Sequence, residues 1–419
     1  MLLSFRVANH GSLREPQELN FVPVYEDDRP AVTVAAIFGA NASGKSTVVD
    51  AFQFFTTVVR DSQARWLPEA PVPLRPFLLD HESRHEPSSY AVDLLVKGVR
   101  YVYGFSLAGP GIIDEWLYAY PKGRKRVLFE RNGMTMTYGA TLAGGRVAAE
   151  RIMRLNSLYL SAAAQSSHRE LGVVWSVLEA PLALGDATRQ AITEDGATAA
   201  LFYEAFETLG LTLATEVLAA ADLGAHGIRR HGQKDGYSPR EKLSEARAAA
   251  SSESLEFVHR VGDEEFVLPV EFESAGTKTW LNMVIAALTV IAAGTSMWVD
   301  EIDVSLHPML TAKLLTLFQN PELNPLGAQL IFTTHDASLL GTMLGEQVLR
   351  RDQVWFVEKD AGTGASELYP LSDFKPRKGE NFERRYLAGS YGAVPLLPDT
   401  AFEDMLKKYW GAHDEVVSA

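Results

Sequence analysis

The stretch GANASGKS, from Gly39 to Ser46, constrains the fold of this chain more than any other segment. It follows the apolar run Ala31–Phe38 and precedes Thr47–Val59, which has the apolar spacing of a helix. The pattern G-x-x-x-x-G-K-[ST] between a strand and a helix forms a loop whose backbone N–H groups bind phosphate. The sequence therefore predicts a phosphate loop of the Walker A type and a bound nucleoside triphosphate.

Each residue type in this loop has a chemical task. Gly39 and Gly44 stand where the pattern needs residues without a Cβ, and Lys45 can reach the β- and γ-phosphates. The Ser46 hydroxyl can bind Mg²⁺, so a magnesium ion is expected with the nucleotide. The loop residues predicted to bind the nucleotide are Gly39, Ala40, Asn41, Ala42, Ser43, Gly44, Lys45, Ser46 and Thr47.

Composition limits the class of protein. The chain has 419 residues, 47% of them hydrophobic, which suits two or three domains or one large α/β domain with insertions. The first ten residues lack the features of a signal peptide, and the apolar run Met283–Ala293 is too short to span a bilayer. The absence of cysteine fits a cytoplasmic protein, and the lack of a spanning segment leads us to expect no membrane partner. The net charge of −14 means that any DNA contact would need a local basic patch.

The first part of the chain is rich in predicted strands. Leu2–Ala8 alternates like a strand, and Leu19–Val24 is its expected hairpin partner ahead of the phosphate loop. The proline-rich segment Leu67–Phe77 cannot form a regular element, because proline removes hydrogen-bond donors. Residues 88–140 then show hairpin patterns, which predicts an antiparallel β-subdomain inserted after the Walker A helix.

From about residue 155 the pattern becomes helical. Leu171–Leu178 and Ala197–Ala221 carry apolar residues at helical spacing, and Glu241–Ala250 is a further predicted helix. The polar, glycine-rich segment Gly224–Arg240 is predicted to be a mobile loop. The expected divisions are 1–65 and 261–419 for the two parts of an ATPase head, 66–150 for a β-rich subdomain and 151–260 for an inserted helical lobe.

Three further motifs follow the lobe. The sequence ESAGTK at 273–278 opens the predicted helix Thr277–Ala293, where a serine and a glycine form either a simple helix cap or an anion site. The apolar strand MWV at 297–299 ends in Asp300 and Glu301. Such a pair can be solvated surface, but it also has the Walker B arrangement, in which Asp300 holds the Mg²⁺ shell and Glu301 activates water.

The last of these motifs is TTHD at 333–336, after the predicted strand Gln329–Thr333. A single histidine is more often structural than functional. Because ligands of open α/β sheets bind beyond the carboxyl ends of the strands, His335 is nevertheless expected to face the same crevice as Lys45 and Asp300.

Together the four motifs resemble those of ABC-type ATPases of the SMC, RecF and OLD group. The chain is especially similar to bacterial AAA-type ATPases of phage-defence and abortive-infection loci. This similarity extends beyond the four motifs to the segments LRPF (74–77), NSLYLS (156–161), VWFVEKD (354–360) and YLAGSYGAVP (386–395). The resemblance implies an α/β fold: an ABC-type P-loop ATPase head with an antiparallel β-subdomain and an inserted helical lobe. It also implies ATP as the nucleotide.

The resemblance implies roles for individual residues. Ser274 and Gly276 match the signature motif, which contacts ATP bound to the opposite subunit, although ESAGT replaces the LSGGQ of transporters. Glu301 matches the catalytic acid and His335 the switch histidine, which with Lys45 form the expected catalytic set. Asp303 and Ser305 fall in the stretch that matches the D-loop. No glutamine can be assigned to the Q-loop.

The implied partners are a second copy of the chain, joined in an ATP-sandwich homodimer or higher homo-oligomer, and a separately encoded effector. The sequence EKD at 358–360 superficially resembles the start of a TOPRIM nuclease domain, but no D-x-D follows on a second strand. No convincing R-x₄-H ribonuclease motif occurs either. The expected effector is therefore a nuclease or toxin encoded elsewhere. The function expected is therefore the sensor or regulator ATPase of an anti-phage defence system.

The alternative is a RecF-like or SMC-like clamp that binds DNA directly in repair or recombination. Its support lies in two groups of basic residues. They are Lys122, Arg124, Lys125, Arg126 and Arg131 in the β-subdomain, and Arg229, Arg230 and Lys234 in the predicted loop. A transporter subunit is disfavoured by the signature sequence and the large insertions.

Overall fold

A computed structural model describes most of the chain. The described residues are 1–25, 29–142, 144–184, 212–221, 224–230, 255–304, 306–342, 347–375, 377, 379–395 and 400–417. The strands are β1 (Leu2–Ala8), β2 (Gln17–Asn20), β3 (Val34–Phe38), β4 (Ser88–Val96), β5 (Val99–Ala108), β6 (Gly111–Tyr120), β7 (Arg126–Asn132), β8 (Thr135–Tyr138), β9 (Leu182–Leu184), β10 (Ala225–Arg230), β11 (Leu255–Val261), β12 (Glu264–Pro269), β13 (Ser296–Val299), β14 (Gln329–Thr334), β15 (Val354–Lys359) and β16 (Ser366–Pro370). The helices are α1 (Lys45–Asp61), α2 (Arg146–Ile152), α3 (Tyr159–Gln165), α4 (Arg169–Glu179), α5 (Ala275–Ala293), α6 (Pro308–Gln319), α7 (Phe382–Leu387) and α8 (Ala401–Val417).

The described strands form three sheets, and the fold is of the α/β class. An antiparallel sheet of seven strands has the order β2-β1-β4-β5-β6-β7-β8. A second sheet of six strands has the order β16-β15-β3-β14-β13-β9, in which only β16 is antiparallel to its neighbour. The strand β14 therefore lies between the phosphate-loop strand β3 and the acidic strand β13.

Helix α1 packs between these two sheets. Its Phe52 stacks on Trp298 of β13, with ring centroids 3.9 Å apart. One turn later Phe55 stacks on Phe105 of β5 at 5.4 Å. Each aromatic pair adds about 0.5–1.5 kcal/mol beyond the area that it buries. The helix that begins at the phosphate loop is thus fixed to both sheets.

The six-stranded sheet is covered on both faces, which explains why its central strand β3 is continuously apolar. In β3, Ala35 and Ile37 face the core that contains α1, while Val34, Ala36 and Phe38 face the opposite core. That second core includes residues of α5, α6 and α7.

Within the described residues, α5 is the one helix long and apolar enough to cross a membrane. Half of its most apolar window is buried inside the protein. Trp280, Met283 and Val284 pack against the six-stranded sheet, and Leu281 and Ile285 pack in a third cluster with β10 and β11. Packing on two sides accounts for its apolar sequence.

The third sheet corrects the interpretation of Gly224–Arg240 as a mobile loop. Residues Ala225–Arg230 form β10, which pairs antiparallel with β11, and β11 pairs with β12. Ala225 and Ile228 of this strand are buried in the third cluster, and that long-range packing is not visible in the local pattern. The described part of 151–260 thus contains strands as well as helices. The segments 231–240 and Glu241–Ala250 lie outside the described residues.

The other boundaries shift by a few residues. The hairpin partner of β1 is Gln17–Asn20 instead of Leu19–Val24, and the helix after the phosphate loop begins at Lys45. The proline-rich segment Leu67–Phe77 contains no helix or strand, as predicted. Of the predicted helix Ala197–Ala221, residues 212–219 are helical and 197–211 lie outside the described residues.

Candidate nucleotide site

The phosphate loop joins the carboxyl end of β3 to the N-terminus of α1. A Cβ on Gly39 would lie 2.5 Å from the carbonyl oxygen of Val357 and 2.6 Å from the Ser43 hydroxyl. Gly44 has φ +110°, a conformation that side chains disfavour, and a Cβ there would overlap the Ser366 hydroxyl. Both glycines of the motif are therefore required by close packing around the loop.

Lys45 lies inside the loop, as the motif predicts. Its side chain is buried, and its ammonium donates hydrogen bonds of 2.9 Å to the carbonyl oxygens of Gly39 and Ala40. Burial lowers the pKa of Lys45, while the nearby Glu301 and Asp300 carboxylates oppose this shift. A lysine cation beside the backbone N–H groups of a phosphate loop is suited to binding phosphate oxygens.

The acidic pair at the end of β13 is positioned by Thr333 of β14. The Thr333 hydroxyl donates to Asp300 Oδ1 at 2.5 Å and accepts from the Glu301 backbone N–H at 2.7 Å. Glu301 has φ +50°, which non-glycine residues rarely adopt. The backbone thus turns sharply after Asp300, and two consecutive acids are held by one hydroxyl of the neighbouring strand.

His335 follows β14 and lies beside this pair. Its Nε2 is 4.0 Å from Glu301 Oε1, and both side chains are about one-third exposed. Its backbone N–H points to Asp303 Oδ1 at 3.4 Å. Burial lowers the pKa of His335, the nearby Lys45 cation lowers it further, and Asp303 and Glu301 partly oppose these effects. The imidazole is therefore biased toward its neutral form.

A cavity of about 380 Å³ opens where these elements meet. It is lined by Ser12, Asn41, Ala42, Ser43, Gly44, Lys45, Ser46, Thr47, Glu301, His335 and Lys359. From the sequence, His335 is expected to face the same crevice as Lys45 and Asp300. The structure places Lys45 and His335 on this cavity, whereas Asp300 is buried and is not among the described residues that line it. The catalytic roles of Lys45, Glu301 and His335 stay predictions.

Two lining residues, Ser12 and Lys359, were missed by the sequence analysis. Ser12 follows β1 in a turn, and Lys359 is the last residue of β15, the strand beside β3. Neither belongs to a nucleotide-binding motif. The sheet order could have indicated Lys359, because the carboxyl ends of neighbouring parallel strands meet at the same edge.

The residues of the cavity fit a nucleotide phosphate chain and Mg²⁺. The loop has no room for extra side-chain atoms, and the buried Ser43 hydroxyl makes no hydrogen bond within the described structure. Ser46 is exposed at the start of α1, and Asp300 is buried directly after β13. Mg²⁺ typically combines one or two protein ligands with phosphates and water. Among the described residues, no group of three or more His, Asp or Glu side chains could hold a metal.

The predicted signature residues lie elsewhere. Ser274 caps α5: its hydroxyl accepts from the Thr277 N–H at 3.1 Å. The preceding Glu273 is held by His259 of β11 at 2.7 Å. Ser274 is exposed, and neither it nor Gly276 is among the described residues that line the cavity. One copy of the chain therefore does not bring the signature motif to its own phosphate loop.

The basic residues proposed for DNA binding are only partly available. Arg131 is wholly buried and pairs with Glu115, which corrects its interpretation as a surface cation. Arg126 pairs with Glu170 at 2.8 Å, and Arg229 pairs with Glu256 at 3.0 Å. Lys122, Arg124 and Lys125 are exposed. The side chain of Arg230, all of Lys234 and the D-loop residue Ser305 lie outside the described residues.

Comparison with solved structures finds a similarity to the "SMC head domain from Thermotoga maritima". The two chains are 14% identical, the alignment covers 88% of this chain and 98% of that chain, and the TM-score is 0.42. Comparison with curated proteins returned no match.

A family model described as "AAA domain, putative AbiEii toxin, Type IV TA system" matches residues 34–341. The matched segment begins at the first residue of β3, includes Lys45, Ser274, Asp300, Glu301 and His335, and covers more than half of the chain. The chain belongs to this AAA-domain family and is a P-loop ATPase.

Proposed function

We propose that the protein is an ATP-hydrolysing switch whose two nucleotide sites are completed when two copies of the chain meet. One observation carries this proposal. The cavity unites Lys45, Glu301 and His335, whereas Ser274 and Gly276 are displayed on another surface at the N-terminus of α5. A helix N-terminus with a serine hydroxyl suits a terminal phosphate, so each copy could supply the donors that its partner's cavity lacks.

The residues of one cavity would then have the following roles. Lys45 and the loop N–H groups bind the β- and γ-phosphates, while Ser46 and Asp300 hold Mg²⁺, which neutralises phosphate charge. Glu301 orients the attacking water and accepts its proton, a contribution of about 10²–10⁴-fold. Neutral His335 carries one N–H group, which can donate a hydrogen bond to the γ-phosphate.

Such a site makes dimerisation depend on the γ-phosphate. The interface between the two copies would be isologous, with the cavity of each facing the signature helix α5 of the other. ATP stabilises the closed pair because Ser274 and Gly276 contact the γ-phosphate, and its hydrolysis removes that contact. The predicted homodimer is thus a timer that closes on ATP and opens on hydrolysis.

Glu301→Gln separates binding from hydrolysis and tests this proposal. We expect steady-state ATP turnover to fall by about 10²–10⁴-fold, because the amide cannot accept the proton. With ATP and Mg²⁺ the variant should accumulate as a dimer in light-scattering measurements, whereas Lys45→Ala should stay monomeric. Unchanged turnover together with unchanged ATP-dependent dimerisation of Glu301→Gln would show that this residue has another role.

We further propose that the switch controls a separate effector, a nuclease or toxin, as the sensor ATPase of an anti-phage defence system. The support is the family description, which names a toxin and a toxin–antitoxin system. Co-expression with the products of neighbouring genes, followed by purification with and without ATP, tests it. Co-purification of one product with Glu301→Gln and its release on hydrolysis by the natural chain are expected. Toxicity of this chain expressed alone would contradict control of a separate effector.

A DNA clamp is the second candidate, favoured by the exposed residues Lys122, Arg124 and Lys125 on the β-subdomain. Lys125 already lies over the ring of Tyr118 at 3.5 Å, and Arg126 is ion-paired. If the clamp is right, DNA binding should weaken steeply with salt and disappear when Lys122, Arg124, Lys125 and Arg126 are neutralised together. Retained binding by that variant would exclude this surface.

A further inference from the structure

The lysine at the end of β15 shares the cavity with the phosphate loop. Lys359 lies three residues beyond Phe356, which pairs with Phe38 of β3 immediately before the loop. In the sheet order, β14 and β13 bring His335 and Glu301 to one side of the loop, and β15 brings Lys359 to the other. The loop therefore has the hydrolytic residues on one flank and an additional cation on the opposite flank.

The hairpin that carries Lys359 is fastened to the loop. Ser366 of β16 pairs with Lys359, and its hydroxyl donates to the Ser43 carbonyl at 2.6 Å. Its backbone N–H donates to the Ser12 carbonyl at 2.8 Å. Gly44 leaves the space that the Ser366 hydroxyl occupies. The backbone of Lys359 is consequently held at a fixed position relative to the loop.

The turn between β15 and β16 is also closed by hydrogen bonds. Asp360 Oδ1 accepts from both the backbone N–H and the hydroxyl of Thr363 at 2.7 Å. The Asp360 N–H donates to the Ala365 carbonyl at 2.8 Å. The turn is thus held as firmly as the two strands, and Lys359 is the residue of this hairpin that lines the cavity.

The Lys359 ammonium is not used by the protein itself. Its side chain is exposed, and within the described residues it forms no hydrogen bond or ion pair. In contrast, Lys45 already donates to two loop carbonyls. An unpaired cation held beside a phosphate-binding loop is suited to an anionic ligand.

We propose that Lys359 binds the α- and β-phosphates of the nucleotide, on the flank of the loop away from Glu301. This inference rests on the proposed nucleotide site. Because these two phosphates are retained in ADP, Lys359 contributes equally to ATP and ADP affinity, and it acts on binding and not on the hydrolytic step. It therefore holds the nucleotide in the site after hydrolysis, while the signature contact to the γ-phosphate is lost.

Calorimetric titration of the full chain with ADP and with a non-hydrolysable ATP analogue, both with Mg²⁺, tests the proposal. Lys359→Met should raise both dissociation constants by about 10- to 150-fold, the range for one charge-assisted hydrogen bond. Lys359→Arg should restore most of the affinity. Lys313→Met removes an exposed lysine of α6 that does not line the cavity and should leave both constants unchanged.

Salt provides a second measurement. Because an exposed cation is screened by added ions, the difference between Lys359→Met and the natural chain should shrink as salt rises. The affinity loss should also be overcome at saturating ATP, so that it appears in KM and not in kcat.

Two results would overturn the proposal while leaving the nucleotide site intact. In the first, Lys45→Ala abolishes nucleotide binding but Lys359→Met changes the dissociation constants by less than about twofold. That change is smaller than the loss of one hydrogen bond would produce. The second is a loss confined to the ATP analogue, which would place Lys359 at the γ-phosphate. If the natural chain binds neither nucleotide, the proposed function itself is wrong, and this inference fails with it.

Discussion

Two places in the molecule bring ionisable side chains together, and they are built in opposite ways. In the seven-stranded sheet, Glu115 and Arg131 are completely buried. Glu115 accepts from the backbone N–H groups of Tyr159 and Leu160 at 2.6 and 2.9 Å and from the Tyr103 hydroxyl at 3.0 Å. At the nucleotide cavity, Glu301 and His335 stay about one-third exposed, 4.0 Å apart.

The difference separates structural charge from functional charge. The carboxylate of Glu115 is surrounded by protein donors, which tie α3 to β6. At the cavity, Lys45 donates to loop carbonyls, the buried Ser43 hydroxyl makes no hydrogen bond within the described structure, and Glu301 has a strained backbone. Backbone strain and polar groups without a protein partner thus occur together at the cavity, where a ligand can bind. Buried charged groups whose hydrogen bonds are all made within the protein stabilise the fold instead.

The largest expected effect concerns the buried pair. Arg131→Met leaves the Glu115 carboxylate buried without its cation, which should cost about 3–5 kcal/mol of unfolding free energy. Urea denaturation measures this loss. Turnover of ATP per folded molecule should not change, because neither residue lines the nucleotide cavity.

Arg100→Met is the matched control on the same sheet. Arg100 pairs with Asp93, but its side chain is about half exposed, so its loss should cost less than about 1 kcal/mol. Equal effects of the two variants would remove the distinction between the two regions.

Gly39→Ala tests the tightness of the phosphate loop and should have an intermediate effect. The added Cβ would meet the Val357 carbonyl and the Ser43 hydroxyl at about 2.5 Å, so the loop must shift. Overpacking of this kind costs about 1–3 kcal/mol, and nucleotide affinity should fall with it. Gly109→Ala, at a position with no atom within 4 Å, should leave both quantities unchanged. Nucleotide affinity unaffected by Gly39→Ala would mean that the loop does not bind phosphate as described.

The smallest expected effect is on pH dependence. Burial and Lys45 lower the pKa of His335 below its usual 6.5, so the imidazole stays neutral as the pH falls through 6.5. Activity that needs neutral His335 is therefore retained at pH 6.5 and lost only at more acidic pH. His335→Asn should remove this acid step from a profile of kcat between about pH 5 and 8. An acid step that persists in the variant would assign it to another group.

The central sheet and most of the cavity could be predicted from the sequence because their signals are local. The apolar runs of β3, β13 and β14 are short and buried on both faces, and each ends in a motif of fixed spacing. The parallel arrangement then brings Lys45 and His335 to one edge. Such features follow from residues that are near one another in the chain.

What could not be predicted depends on partners distant in sequence. β9 has only three residues and is a strand because it pairs with β13, more than one hundred residues away. β10 has a polar, glycine-rich sequence that suggested a loop, and its pairing with β11 overrides that preference. Lys359 reaches the cavity through the β15–β3 pairing and the clamp at Ser366.

A complementation assay tests most directly whether two copies share the nucleotide sites. Lys45→Ala damages the cavity and Ser274→Arg the signature face, so each variant alone should be nearly inactive. In a mixed dimer, one site combines both defects and the other has none. An equal mixture should therefore recover up to about one quarter of natural turnover, the value reached when half of the pairs are mixed and each mixed pair has one intact site. Recovery of that size confirms a shared site, and a mixture no more active than its components would contradict it.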